Sequence, residues 1–236
     1  MAQETPKNNY LPGYDAKAVA MPKPNDADDP YKATPKLTLL DIGAGSGTII
    51  ASLAGYIPDG HVTATDISDQ ILTQAAEHAK SVGVDNISFQ PANAYDLPFS
   101  DDTFDVVHAR QVLVHLESPL GEIKEMLRVV KPGGMIALRE CDLRMWSIWP
   151  ETPALMAFHK RVLIGVHDLG VGSIDAGAKL VSWAIEAGVR IEQMTATWGT
   201  GCYSTPAERQ VWECTMAERT VNSSMGRKAV RAGLIA

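Results

Sequence analysis

The stretch Asp41-Ile42-Gly43-Ala44-Gly45-Ser46-Gly47-Thr48 holds the densest concentration of chemistry in the chain. Glycines in a G-x-G-x-G spacing let a backbone turn tightly after a strand and pass close beneath a ligand. A ligand-free turn from strand to helix uses the same residues, so the loop alone decides little. Its neighbours narrow the chemistry. Asp41 stands directly before the glycines, where a pyrophosphate would meet unwelcome negative charge and an ammonium group would be well placed. Asp66 follows the loop at about 20 residues, the spacing of a carboxylate that grips a ribose diol. The dinucleotide fingerprint G-x-G-x-x-G requires glycine at the position held here by Thr48. The pattern therefore indicates a ribose-bearing ligand without pyrophosphate and with a cationic amino-acid end. S-adenosylmethionine has that description.

These residues need elements to position them. The apolar run 37–42 reads as a buried strand, and Ile49, Ile50, Leu53 and Ile57 form one helical stripe over 48–57. A β-branched strand at 61–67 leads to Ser68 or Asp69 as a cap and a helix ending at Gly83. Strands follow at 87–93 and 104–110. Ser118-Pro119 opens a helix closed by Lys131-Pro132-Gly133-Gly134, and a fifth strand covers 135–141. This alternation predicts an α/β, Rossmann-like, doubly wound and mostly parallel sheet with helices on both faces. Downstream, Thr152-Pro153 opens a helix to about Leu169, and Asp175 is placed to cap another through Ala187. The segment 190–198 alternates like a strand. Thr205-Pro206-Ala207-Glu208 has the form of a capping box with two short helices after it. Such sheets bind ligands outside the carboxyl ends of their strands. Segments of about 142–174 and 199–236 are thus available for a helical lid. Residues 1–36, rich in proline and aspartate from Met21 on, read as a flexible or cofactor-covering arm before a domain of 37–236.

Composition bounds the partners. The chain has 236 residues, 45% hydrophobic and 21% charged, with a formal charge of −7. That length suits one generous domain with its own core. Cys141, Cys202 and Cys214 are odd in number and widely spaced, which argues against a disulfide framework or zinc site and suits a reducing, cytoplasmic compartment. The acidic balance disfavours a nonspecific grip on nucleic acid. No apolar run approaches the ~18–20 residues of a membrane span, and the N-terminus lacks the pattern of a signal peptide. The expectation is a partner that is a small molecule, with no nucleic acid, membrane span or metal. The oligomeric state stays open.

Four segments together carry a resemblance. LLDIGAGSGTI, VTATDIS, LPFSDDTFDVVHARQVLVHL and RVVKPGGMIALRE resemble the successive motifs of class I S-adenosylmethionine-dependent methyltransferases. They are similar above all to the ubiquinone/menaquinone biosynthesis subgroup and its fungal secondary-metabolite relatives. The resemblance implies that Asp41, Gly43, Ala44, Gly45 and Gly47 line the methionine and ribose end of the cofactor, which leaves as S-adenosylhomocysteine. It implies that Asp66 binds both ribose hydroxyls and that Ile67 packs on the adenine. Ala92-Asn93-Ala94 stands where the family usually has Gly-Asp-Ala, so Asn93 and Ala94 would meet the adenine edge. Arg110 and Gln111 would sit near the methionine portion. Two departures stand out: a proline-rich arm replaces the usual amphipathic helix before the first motif, and no final antiparallel strand is evident before Ala236.

Methyl transfer from a sulfonium is an in-line displacement, so positioning and desolvation matter more than covalent chemistry. Arg110-Gln111-Val112-Leu113 lacks the Asn/Asp-Pro-Pro-aromatic cradle of nucleobase methyltransferases. A small, largely apolar acceptor with a thiol, hydroxyl or carbon nucleophile fits better, given Trp146, Trp149 and Tyr203 in the lid segments and Trp198 at the edge of the second. His115 is the candidate general base. Glu140 and Asp142, flanking Cys141, and Trp146 and Trp149 are candidate substrate groups. Each also has a plain structural reading: a helix-start histidine, solvated carboxylates, core aromatics. His108, inside a strand, reads as structural. Two other functions stay open, an NAD(P)-dependent oxidoreductase on a related fold and a catalytically silent cofactor-binding module.

Overall fold

The computed structural model of the protein describes residues 36–159, 172–199 and 201–222, with 227, 230, 231 and 233. The N-terminal arm, the helix continuation toward Leu169 and the chain's last residues lie outside them. The chain divides into two compact units. One holds the described residues up to Met145 together with 172–194; the other holds 146–159 and those from Thr195 onward.

The first unit is built on five strands: β1 (Thr38–Ile42), β2 (His61–Asp66), β3 (Ile87–Pro91), β4 (Phe104–Arg110) and β5 (Val130–Arg139). All pair in parallel, in the order β3-β2-β1-β4-β5. Leu39, Leu40, Val106 and Val107 are buried as neighbours on central strands covered on both faces, which is why β1 and β4 are near-continuous apolar runs. Right-handed crossovers put α1 (Thr48–Ala54) and α2 (Asp69–Ser81) on one face and α3 (Pro119–Val129) on the other. α5 (Ala176–Glu186) packs beside α3. Leu40, Val107 and Ala109 from the sheet meet Ile123, Met126 and Val129 of α3 in the main core.

Local chemistry sets the ends of these elements. Ser68 caps α2 by accepting the Ile71 N–H at 3.4 Å, and Pro119 starts α3 where no N–H is needed. Asp105 accepts from the Thr38 N–H and hydroxyl and from Lys131, tying the amino ends of β1, β4 and β5 together. Arg128 donates to the carbonyls of Leu97 and Phe99 while pairing with Glu125 and Asp101, so it holds the β3–β4 loop against α3.

The structure differs from the sequence expectation in several places. α1 stops at Ala54, before Ile57. α3 passes directly into β5, whose pairing with β4 shifts register between Phe104 and Val106, so Lys131-Pro132-Gly133-Gly134 lies within the irregular start of the strand. Asp175 precedes α5 without capping it through its side chain; that carboxylate instead accepts from Ser173 and pairs with Lys179 and Arg144. Segment 190–198 is not a strand. The Arg190 N–H reaches Gln193 Oε1, and Ile191–Gln193 close a 3-10 turn.

The second unit contains α4 (Pro153–Phe158) and α6 (Pro206–Asn222). Thr205 and Glu208 form the expected capping box, each side chain taking the other's N–H. The helix then runs unbroken for 17 residues, and the expected second helix falls mostly outside the described residues. No helix among the described residues is long and apolar enough to cross a membrane.

The turn after β1 is closed by packing at Gly47. A Cβ there would stand 2.8 Å from Ala75 Cα on α2, at a φ of +81°. Gly47→Ala is expected to lose about 2–4 kcal/mol in denaturant unfolding, from overpacking plus left-handed strain. Gly133→Ala, equally left-handed at φ +79° but with open space around it, should lose only about 1 kcal/mol.

Candidate functional site

The strand order reverses between β1 and β4, and a crevice in such a sheet opens at the carboxyl ends of those two strands. The glycine loop leaves β1 there. The Ala44 N–H donates to the Thr65 carbonyl at 2.8 Å, and the Gly45 N–H to Asp66 Oδ2 at 3.2 Å, so the loop is fastened to the end of β2. Asp66 Oδ1 accepts the Ser68 N–H at 3.1 Å. Each oxygen keeps acceptor capacity beyond these bonds. The next residue, Ile67, is 81% exposed. Gly43 is closed off: a Cβ would stand 2.5 Å from Val112 Cγ2. Gly45 has nothing within 4 Å of that position. The loop thus has no room for a side chain at Gly43 or Gly47, and has it at Gly45, beside Asp66.

Asp41 is buried, and one of its carboxylate oxygens is engaged within the sheet. Its Oδ1 lies 2.5 Å from His108 Nδ1, its register partner on β4. A carboxylate can only accept, so this bond requires a proton on Nδ1. The pair links the two strands that flank the switch point.

β4 ends at Arg110, and Gln111 turns the chain at φ +53° while its N–H donates to the Arg139 carbonyl at 2.9 Å. The Gln111 side chain hydrogen-bonds Cys141. Val112 and Leu113 both donate their N–H groups to Glu140 Oε1, at 2.8 and 2.7 Å. His115 ends the following 3-10 turn, exposed, with its N–H on the Val112 carbonyl. On the other side of the sheet, Asn93 Oδ1 accepts the Tyr95 N–H at 3.0 Å in a local turn next to Ala94, so part of its acceptor capacity is spent.

The candidate substrate carboxylates are occupied by the protein. Glu140 is committed through Oε1 to the main chain of the 112–113 turn. Asp142 is buried and takes Arg144 Nε and Nη2 at 2.9 and 2.6 Å, and this guanidinium holds its carboxyl below the ordinary range. Both residues lie beyond the end of β5, so strand alternation does not set their directions. Trp149 is 88% exposed and belongs to no aromatic cluster among the described residues. Trp146 belongs to the second unit, where it lies 6.1 Å from Trp212 between ring centroids and stacks on His159 at 6.5 Å. Phe158 and Tyr203 each lie 6.3 Å from Trp212.

Sequence reasoning missed two of these features. One is Trp212 as the centre of the aromatic cluster; its place one turn after the capping box was the available signal. The other is Glu122. It sits four residues before Met126, on the stripe of α3 that faces the sheet, and that spacing could have found it. Glu122 is completely buried, and neither of its oxygens has a partner among the described residues. Burial pushes its carboxyl up to about 8, helped by the neighbouring charge of Glu140. Burial likewise raises Glu140 to about 7, against the lowering effect of the N–H groups of Leu113, Val112 and Val114. Cys141 is raised by burial and by Glu140.

The family profile described as a methyltransferase domain matches residues 33–183. An uncharacterised methyltransferase of Schizosaccharomyces pombe is 32% identical over 193 residues, which is 79% of this chain and 68% of that protein. A ubiquinone/menaquinone biosynthesis C-methyltransferase of Shewanella woodyi is 36% identical over 138 residues, 52% of this chain and 55% of that one. This chain thus spans about half the length of the bacterial relative. The fold is shared with a SAM-dependent methyltransferase from Aquifex aeolicus, with a TM-score of 0.51, 21% identity, and coverage of 69% and 85% of the two chains. The profile covers the β1 loop, the end of β2, the 110–115 turn and Glu140 together, and on that match the chain belongs to the methyltransferase-domain family.

Proposed function

We propose that this protein transfers a methyl group from S-adenosylmethionine to a small, largely apolar acceptor. The observation that carries the reading is the free space at Gly45 of the glycine loop, whose N–H donates to the Asp66 carboxylate, with the exposed Ile67 next in the chain. That cradle fits the ribose of the cofactor: Asp66 keeps lone pairs for two hydroxyls, and Ile67 offers an apolar face to the adenine. Asn93 and Ala94 border the adenine edge, with the remaining lone pair of Asn93 Oδ1 as an acceptor. Gly43, Ala44, Gly45 and Gly47 form the floor, and Arg110 and Gln111 border the methionine end.

When bound, S-adenosylmethionine supplies an electrophilic methyl group on a sulfonium. Everything else falls to the chain's residues. Asp41, tied to His108, acts through the field of its buried carboxylate and not by direct contact with an ammonium group. The Gln111–His115 turn borders the acceptor side, and an imidazole nitrogen of His115 takes the proton from an acceptor hydroxyl or thiol. Orientation and exclusion of water supply most of the acceleration.

The name of the Shewanella relative, in ubiquinone/menaquinone biosynthesis, supports a small-molecule acceptor. The lid role expected of segments 142–174 and 199–236 is part of this reading. So is a reducing, cytoplasmic location, which three free cysteines support.

Incubation with methyl-labelled S-adenosylmethionine and a cell extract is expected to label small molecules in an enzyme-dependent way; no labelling would remove the activity. Asp66→Ala should raise the Kd for S-adenosylhomocysteine at least ~10-fold, about 1.4 kcal/mol, by calorimetry. Unchanged affinity would refute the ribose assignment. His115→Ala should lower kcat about 100-fold while cofactor affinity stays within about threefold. A full-rate variant would take His115 out of the mechanism.

A further inference from the structure

Five polar or charged side chains are buried among the described residues, and three of them are joined by hydrogen bonds across β2, β1 and β4. Thr65 Oγ1 donates to the Asp41 carbonyl at 3.1 Å. His108 Nδ1 donates to Asp41 Oδ1 at 2.5 Å. Asp41 is thus held from both sides, through its main chain by one neighbouring strand and through its carboxylate by the other. Thr65 makes a second bond to the same turn, since its own carbonyl accepts the Ala44 N–H at 2.8 Å. One residue of β2 therefore holds the chain at 41 and at 44, the two ends of the turn by which β1 enters the glycine loop.

The loop itself does little to fix that turn. The Gly45 N–H goes to Asp66 and the Gly47 N–H to the Ala44 carbonyl. With the Ala44 N–H on Thr65, none of these three groups serves the Asp41 carboxylate. Gly43 and Gly45 take φ values of +68° and +55°, and glycine's freedom prescribes no single course for the backbone. The course must come from neighbours. Thr65, Asp41 and His108 are 1%, 3% and 5% exposed. A polar group so deeply buried is costly to leave without its partner, so each member of the chain of bonds fixes the next.

We infer that Thr65 and His108 are positioning residues for the cofactor loop. They hold Asp41 and the 41–44 turn from two neighbouring strands, and they act through the main chain and through Asp41, not by touching the ligand. His108 does so with its proton on Nδ1, the nitrogen that faces the carboxylate. Its ring holds that proton in place and passes it to nothing. The effect on cofactor affinity rests on the function proposed above; the hydrogen-bonded clamp does not.

The two side chains can be tested separately. Thr65→Val keeps the β-branched shape that a strand accepts and removes the hydroxyl, and Thr65→Ser keeps the hydroxyl. His108→Leu removes the donor to the carboxylate, and His108→Asn offers an amide N–H to the same oxygen.

The deciding experiment uses the full chain at a temperature where the parent and its variants are folded. It combines calorimetry with S-adenosylhomocysteine, hydrogen exchange at the Ala44 amide, and nitrogen-15 NMR of the imidazoles. In the parent protein, His108 should show a proton bonded to Nδ1. Thr65→Val should speed Ala44 exchange and raise the Kd, each about fivefold, and Thr65→Ser should bring both back to within about twofold of the parent. His108→Leu should raise the Kd at least ~10-fold, and His108→Asn should restore it to within about threefold. If His108→Leu does not fold, the Thr65 variants and the imidazole spectrum decide. A proton found on Nε2 alone, Ala44 exchange unmoved in Thr65→Val, or a Kd unchanged in both Thr65→Val and His108→Leu would overturn the inference. If the exchange and the imidazole proton behave as expected but the parent protein fails to bind S-adenosylhomocysteine, the clamp stands and the proposed activity falls.

Discussion

The turn after β1 is wedged between two neighbours, and the rest of the site is arranged around that wedge. Val112 closes it at Gly43 from the β4 side, and Ala75 closes it at Gly47 from α2, leaving no room for a methyl group at either place. The constraint reaches outward in both directions. Ala75 is where it is because Leu72, Ala75 and Ala79 bury one stripe of α2. Val112 is where it is because the main chain of the 112–113 turn is bonded to Glu140. Protein interiors are packed too densely for such approaches to be loosened gradually. The opening left at Gly45 is therefore a consequence of strand order and helix packing, not a property of the loop alone.

Acidic side chains at this end of the sheet are satisfied in three different ways, and one is left without a donor. Asp142 has a guanidinium, Asp41 an imidazole, and Glu140 two backbone N–H groups; Glu122 has no donor among the described residues. A buried charge costs several kcal/mol unless it is paired, so the last case is the one that demands an explanation. Strongly perturbed groups gather where proteins do chemistry or hold it in place. Here the perturbation lies one layer behind the crevice, beneath the turn that borders it.

Much of the first 140 residues was legible before any tertiary contact was known. β4 begins and ends at Phe104 and Arg110 as its apolar run does, and Ser68, Gly83 and Pro119 punctuate α2 and α3 as their backbone preferences require. The failures have physical reasons. Segment 190–198 alternates like a strand, but alternation becomes a strand only when an edge is there to pair with. Here the Arg190 N–H is satisfied by Gln193 instead. Within 206–222 no glycine or proline follows Pro206, so the described helix is continuous. Asp175 has cap chemistry, but Lys179, Arg144 and Ser173 compete for its carboxylate and win.

The sequence alone determined the fold class, the glycine turn and the Asp66 position, because periodicity and backbone preference are carried by neighbours in the chain. Asp41 shows where that reach ends. Its place before the glycines suggested an ammonium partner, yet its carboxylate belongs to His108, across a strand pairing that joins residues 67 positions apart. The same holds for the burial of Glu122 without a donor, and for Trp146, Phe158 and Tyr203 around Trp212. Which polar group satisfies which buried atom is settled only when helices and strands pack, since desolvation acts on atoms brought together in space and not on their order along the chain.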